Sequence, residues 1–171
     1  ALGYPDGFSG VALWAHPLQH FPAWLLAFIM PLAAAHNLTI LLYSALNGWA
    51  AYVLAEDRFK GQRIAALVTG LVFMSFPAMQ GHMFEGHVGP NILWALPLYT
   101  YALFRLTETH EARWRWLAIL FFFLTTGGHP LQIIYVLLPV TGLFLLAQIG
   151  RGHWKAAGQV AIVGGIGALL C

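Results

Sequence analysis

The placement of basic residues between long apolar segments is the feature that most constrains this chain. The sequence contains eight Lys and Arg residues, and all of them fall in three connections between apolar runs. They are Arg58, Lys60 and Arg63 in the first connection, Arg105, Arg113 and Arg115 in the second, and Arg151 and Lys155 in the third. The alternating connections, 77–89 and 127–130, contain none, and neither does the segment 1–36. Cytoplasmic loops of membrane proteins are enriched in Lys and Arg, so this alternation predicts five successive membrane spans.

Composition supports a membrane protein and argues against a soluble one. Of all residues, 60% are hydrophobic and only 8% are charged, whereas about a quarter of the residues of a soluble domain are charged. The formal net charge of +2 is too small to indicate a nucleic-acid partner. Membrane lipid is therefore the expected surrounding of most of the chain.

We expect an all-α, polytopic transmembrane helical bundle that forms one domain over residues 1–171. A bilayer-crossing helix needs about 20 mainly apolar residues, shortened where flanking side chains reach the interface. The predicted complete spans are 37–55, 64–79, 90–104, 114–126 and 130–149, and a partial sixth begins at 156. The apolar segment 21–32 is shorter and contains Pro22 and Pro31, which predicts a helix that lies in the membrane interface or re-enters it.

The basic connections also predict orientation and location. Residues 1–36, 77–89 and 127–130 are expected on the non-cytoplasmic side of a plasma (inner) membrane. The chain starts at Ala1 without an initiator Met and stops in an apolar run. We therefore expect it to be an internal portion of a longer protein.

Histidines and acids concentrate on the predicted outer side. Six of the eight histidines fall there, together with two of the six acids. These residues are His16, His20, His36, His82, His87, His129, Asp6 and Glu85. The remaining acids accompany the inner Lys and Arg, where local charge balance explains them.

The densest outer cluster is the heptapeptide Gly-His-Met-Phe-Glu-Gly-His at 81–87. Glu85 could act as a general base, with a pKa tuned by burial and a neighbouring imidazole. Alternatively, His82, Glu85 and His87 could hold a divalent metal ion or a pyrophosphate. The spacing matches no zinc signature, and a solvated loop that carries no chemistry stays an equal alternative.

Two further outer segments carry candidate binding residues. In Gly-Gly-His-Pro at 127–130, Pro130 suits the first turn of a helix, so His129 would stand at a helix N-terminus where an anion could bind. An ordinary tight turn explains the same segment. His36 lies at a similar depth, and the two histidines could also ligate haem, although both are at loop edges. Asp6 belongs to Tyr-Pro-Asp-Gly at 4–7, which indicates a turn or an outward carboxylate near an active site.

The order of these features resembles the polytopic membrane glycosyltransferases of the C-type fold (GT-C), including bacterial proteins related to the YfhO group. The features that carry the resemblance are Tyr-Pro-Asp-Gly at 4–7, His-Asn-Leu at 36–38 opening a span, Phe-Pro at 76–77 before Gly-His at 81–82, and Leu-Pro-Leu at 96–98. The resemblance implies transfer of a sugar from a polyprenyl-phosphate carrier at the outer membrane face. It also implies an acidic catalytic residue in a first outward loop. The chain is expected to begin within that loop, after the usual acidic position, and Asp6 is no secure substitute for it.

Taken with the resemblance, the candidate catalytic residues are Glu85 and Asp6, and the candidate substrate-binding residues are His82, His87, His129 and His36. A non-catalytic helical subunit of a larger membrane complex, packed on other membrane subunits, is the alternative. Transport is disfavoured because no acidic or basic side chain lies firmly within a predicted span.

Overall fold

Every regular element that the structure describes is a helix. The computed structural model describes residues 17–76, 92–128 and 131–170. The helices are α1 Pro17–Leu26, α2 Leu32–Arg58, α3 Arg63–Met74, α4 Ala95–Thr109, α5 Ala112–Gly128, α6 Leu138–Gly150 and α7 Trp154–Leu169, and a π-helical segment Ile133–Leu137 leads directly into α6. The all-α prediction is confirmed for this part of the chain.

Two of the described helices are long and apolar enough to cross a bilayer. Leu32–Arg58 has 27 residues with a mean hydropathy of 1.4, and the continuous helix Ile133–Gly150 has 18 residues with a mean hydropathy of 2.1. At 1.5 Å per residue, α2 is about 40 Å long, which exceeds the roughly 30 Å hydrocarbon core of a bilayer. Helix α3 is apolar but shorter, with 12 residues.

Consecutive helices form three antiparallel hairpins: α2 with α3, α4 with α5, and α6 with α7. Short turns at 59–62, 110–111 and 151–153 join them. Left-handed residues reverse the chain in each turn, with φ values of 87° at Gly61, 58° at His110 and 72° at Gly152. These turns and their flanks, 58–63, 105–115 and 151–155, contain all eight Lys and Arg residues and are called the basic turns below.

The core lies between the second and third hairpins. Tyr99, Leu103, Phe122, Leu137 and Val160 are fully buried there, and the Tyr99 and Phe122 rings pack edge to face with their centroids 5.7 Å apart. Glycine allows the tightest approaches. A Cβ on Gly167 would lie 2.6 Å from the Phe122 ring.

The first hairpin also packs on glycine. A Cβ on Gly70 of α3 would lie 2.7 Å from the Gly48 carbonyl oxygen of α2. The two backbones therefore meet at this point, as small residues permit in membrane helix pairs. Beside them is an apolar groove of about 370 Å³, lined by Trp49, Tyr52 and Leu71 among others.

Several predicted boundaries differ from the structure, and proline explains most of the differences. Helix α2 begins at Leu32 rather than at 37, directly after Pro31, whose φ of −56° suits a helix start. Helix α3 ends at Met74 instead of 79, because the residue before Pro77 disfavours helical backbone. Pro97 lies in the first turn of α4, where its missing N–H removes no helical hydrogen bond.

The predicted interfacial element at 21–32 is displaced along the chain. The helix that forms is α1, Pro17–Leu26, and it contains Pro22 rather than ending at it. It packs on α2 and α5. On its outer surface, Phe21, Trp24 and the following Phe28 are each more than half exposed and their rings are in contact.

Candidate functional site at the end opposite the basic turns

Ion pairs bring two basic turns together at one end of the bundle. Arg58, at the end of α2, donates from Nη1 to Glu108 Oε1 of α4 at 2.6 Å. Arg105 Nη1 lies 3.6 Å from Asp57 Oδ1, and Arg58 also binds Asp57. These four residues, two cationic and two anionic, are called the ion-pair cluster below.

Electrostatics in the ion-pair cluster favour the charged forms. The hydrogen bond from Arg58 holds the pKa of Glu108 below its usual range, and the same bond raises the pKa of Arg58. The Arg58 guanidinium also lies over the Phe104 ring, 4.4 Å from its centroid. Opposite charges are paired across two hairpins, which is an arrangement suited to holding the helices together rather than to chemistry.

The third basic turn lies at the same end. His110, in the second turn, has its Nδ1 2.9 Å from Oε1 of Gln159 near the start of α7. The end that carries the ion-pair cluster is called the basic end below, and the other is the opposite end.

Most of the predicted site lies outside the described residues. Asp6, Glu85, His82, His87 and His129 all fall there, so their catalytic and binding roles stay predictions. His36 is described, and its side chain is exposed. It stands one turn inside α2 rather than at a loop edge, because the helix begins at Leu32.

Helix α1 is fastened to the opposite end by two contacts. The Tyr43 hydroxyl of α2 donates to the Leu18 carbonyl oxygen. The Leu18 side chain also packs on Gly127 near the end of α5, where an added Cβ would lie 2.9 Å from Leu18 Cδ1. The helix therefore packs against the side of α2 and the end of α5.

Several buried polar groups were not selected from the sequence. The Leu93 N–H, just before α4, donates to Asn47 Oδ1 at 3.1 Å. Among the described residues, Trp94 Nε1 is buried without a hydrogen-bond partner, and so are both amide atoms of Gln132. The signal available in the sequence was a Gln near the start of the apolar run that follows Pro130, and the same run contains a second one, Gln148.

The residues of the predicted metal site, His82, Glu85 and His87, lie outside the described part of the chain. Within residues 17–76, 92–128 and 131–170, no group of three His, Cys, Asp or Glu side chains could hold a metal ion. The metal alternative for His82, Glu85 and His87 stays a prediction.

No protein-family model, curated protein or solved structure matches this chain.

Proposed function

We propose that this chain is part of a multi-pass membrane protein whose basic turns face the cytoplasm and whose opposite end transfers a sugar from a polyprenyl-phosphate carrier. The observation that carries the proposal is the gathering of the basic turns at one end of an apolar helical bundle. Such one-sided placement of Lys and Arg is what orients membrane proteins.

The apolar surface supports the membrane part of the proposal. On α3, Leu67, Val68, Leu71 and Val72 are each at least half exposed. On α6, Leu143 and Leu146 are exposed to 68% and 66%. Contiguous apolar surface of this kind is rare on water-soluble monomers, and lipid chains solvate it without cost.

The shorter helices can be accommodated by side chains at their ends. Helix α4 has 15 residues, about 22 Å, which is less than the hydrocarbon thickness. Arg105 lies in the last turns of α4, and its guanidinium is 5.6 Å from the ring centroid of Trp114 on the neighbouring helix. Arg and Trp are residue types that occupy the membrane interface. The exposed aromatic face of α1 suits the outer interface.

The proposed chemistry takes place on the non-cytoplasmic side. Glu85 accepts the proton of an acceptor hydroxyl while that oxygen bonds to the anomeric carbon, and the carrier phosphate leaves with the bonding electrons. His82, His87, His129 and His36 supply hydrogen bonds to the phosphate-bearing donor, and Asp6 is the second candidate acid. The resemblance to the C-type glycosyltransferases and the excess of outer histidines support this assignment.

Cysteine labelling tests the orientation. In a Cys171→Ser background, we expect a membrane-impermeant maleimide to label Ile29→Cys in intact cells and to leave Gln62→Cys unlabelled until the membrane is opened. Both positions are exposed and lie at opposite ends of the first hairpin. Labelling of Gln62→Cys alone in intact cells would show the reverse orientation. Equal labelling of both positions would contradict a membrane span between them.

Charge-neutral substitution tests the chemistry. We expect Glu85→Gln to abolish sugar transfer without changing the amount of protein in the membrane, because the amide cannot accept the proton. Glu111→Gln is the matched control, since Glu111 is an exposed acid of the basic end that pairs with Arg113. Transfer at the normal rate by Glu85→Gln would exclude Glu85 as the base.

A further inference from the structure

Gln132 is a buried amide that the fold leaves unused. Its side chain is 6% exposed, and neither Nε2 nor Oε1 has a hydrogen-bond partner within the described part of the chain. A primary amide offers two donors and an acceptor, and burial of these groups without partners is strongly unfavourable. Native proteins rarely retain such a residue unless a ligand, an ion or water completes it.

Gln148 on the same helix shows what a purely structural glutamine looks like here. Its exposure is the same, 6%, but its Oε1 lies 3.2 Å from His153 Nδ1 at the third basic turn. Hydroxyls at the end of α5 do not serve Gln132 either. Thr125 and Thr126 donate to the carbonyl oxygens of Phe121 and Phe123 in their own helix, each at 2.7 Å.

The backbone beside Gln132 is also irregular. Immediately after it, residues Ile133–Leu137 form a π-helix in which the Leu138 N–H donates to the Ile133 carbonyl oxygen. Single π-helical turns within α-helices occur frequently at functional sites, because they alter which residues face a neighbouring helix. The unpaired amide and the π-helix therefore mark the same place, at the opposite end of the bundle.

We infer that the Gln132 amide binds a hydroxyl-bearing ligand, with adjacent hydroxyls of a sugar ring as the best match. A phosphate or carboxylate accepts hydrogen bonds only, so it would satisfy Nε2 and leave Oε1 facing an anion. A metal ion would engage Oε1 alone. A hydroxyl both donates and accepts, and two neighbouring hydroxyls satisfy both amide atoms. This inference rests on the proposed function, and it assigns Gln132 to recognition of the sugar.

The test compares Gln132→Met with Gln148→Met, because Met has a similar length and no strong hydrogen-bonding atom. In purified protein in detergent micelles, Gln132→Met should unfold at an equal or higher temperature than the parent, since an unpaired amide is removed. Gln148→Met should unfold at a lower temperature, since His153 loses its partner. A fall in unfolding temperature for Gln132→Met as large as that for Gln148→Met would overturn the inference.

Ligand binding provides a readout that does not depend on transfer. Methyl glucoside, methyl mannoside and methyl galactoside are titrated while the unfolding temperature is recorded. We expect at least one of them to stabilise the parent and Gln148→Met, with an apparent affinity about tenfold weaker in Gln132→Met. An equal response of Gln132→Met, or no response of the parent to any of the three glycosides, would refute sugar recognition by Gln132. Neither result depends on Glu85→Gln, which tests the proposed function separately.

Discussion

At the scale of single residues, the carbonyl of Leu18 shows how one helix is attached to the bundle. In a regular helix, this oxygen would accept a hydrogen bond from the N–H of residue 22. Residue 22 is Pro, which has no N–H. The Tyr43 hydroxyl of α2 donates to the oxygen instead, so the proline leaves the acceptor available for the contact that fastens α1.

This arrangement predicts coupling between Pro22 and Tyr43. Tyr43→Phe should lower the free energy of unfolding by about 1–3 kcal/mol, because the carbonyl loses its partner in a half-buried position. In a Pro22→Ala background the new N–H can serve the same oxygen, so Tyr43→Phe should cost less there. Unfolding of the four proteins of this double-mutant cycle in detergent gives the interaction energy, expected to exceed about 0.5 kcal/mol. Additive effects of the two changes would contradict this account.

At the scale of helices, backbone contact at glycine holds the first hairpin together. A Cβ at Gly70 meets the carbonyl oxygen of Gly48 at 2.7 Å, and backbone cannot move aside as a flexible side chain can. Gly142 on α6 offers the opposite environment, since a Cβ there meets no atom of the described residues within 4 Å. The two glycines therefore have different reasons to be present.

Alanine substitution should separate these two roles. Gly70→Ala is expected to destabilise the protein by about 1–3 kcal/mol, because α2 and α3 must move apart. Gly142→Ala should be neutral or stabilising by up to about 1 kcal/mol, because alanine favours helix and no atom is displaced. Thermal unfolding of both variants measures the difference. Equal destabilisation would show that the hairpin does not depend on the Gly70 contact.

Helix ends were the least predictable elements, and the reasons are local. Apolar runs placed the spans, but an apolar run does not show where a helix starts. Pro31 starts α2 five residues earlier than predicted, and Pro77 ends α3 early. The π-helix at Ile133–Leu137 precedes Pro139, whose missing N–H breaks the regular hydrogen-bond ladder. The sequence shows where each proline is, but whether a proline starts a helix, ends one or produces a π-helical turn depends on the packing of neighbouring helices.

At the scale of the molecule, the ion-pair cluster joins the first hairpin to the second and should respond to acid. The pKa of Glu108 is lowered in the folded state by its hydrogen bond with Arg58. Its stabilising contribution is therefore fully present above the unfolded pKa, about 4.3, and is lost as the pH falls through the lower folded value. Since the Glu108 side chain is 45% exposed, solvent screening keeps this contribution small.

The measurement compares the parent with Glu108→Gln across pH. Near pH 7 the parent should unfold at the higher temperature, and the difference should shrink as the pH falls below about 4. Glu111→Gln is the control, because Glu111 pairs with Arg113 close by in sequence and joins no hairpins. A difference between the parent and Glu108→Gln that persists unchanged into strong acid would exclude ionisation of Glu108 as its cause.

The all-helical class followed from composition and from the alternation of basic connections, because both depend on the whole chain. The site did not follow in the same way. Histidine and acid content selected Glu85 and the outer histidines, of which only His20 and His36 lie within the described residues. Gln132 became visible only through its burial and its lack of hydrogen-bond partners among the described residues. A neutral amide in an apolar run carries no charge pattern, so sequence alone does not distinguish Gln132 from Gln148.

Because of the π-helical segment, the direction in which the residues before α6 point depends on the number of residues in that segment as well as on their types. A π turn holds roughly one residue more than an α turn, so the part of the chain before Ile133 is rotated relative to the part after Leu137. Removing one residue from this segment would restore α geometry and turn Gln132 by about 100° around the helix axis. A single deletion or insertion in this segment would thus change which residues face the neighbouring helices without any substitution.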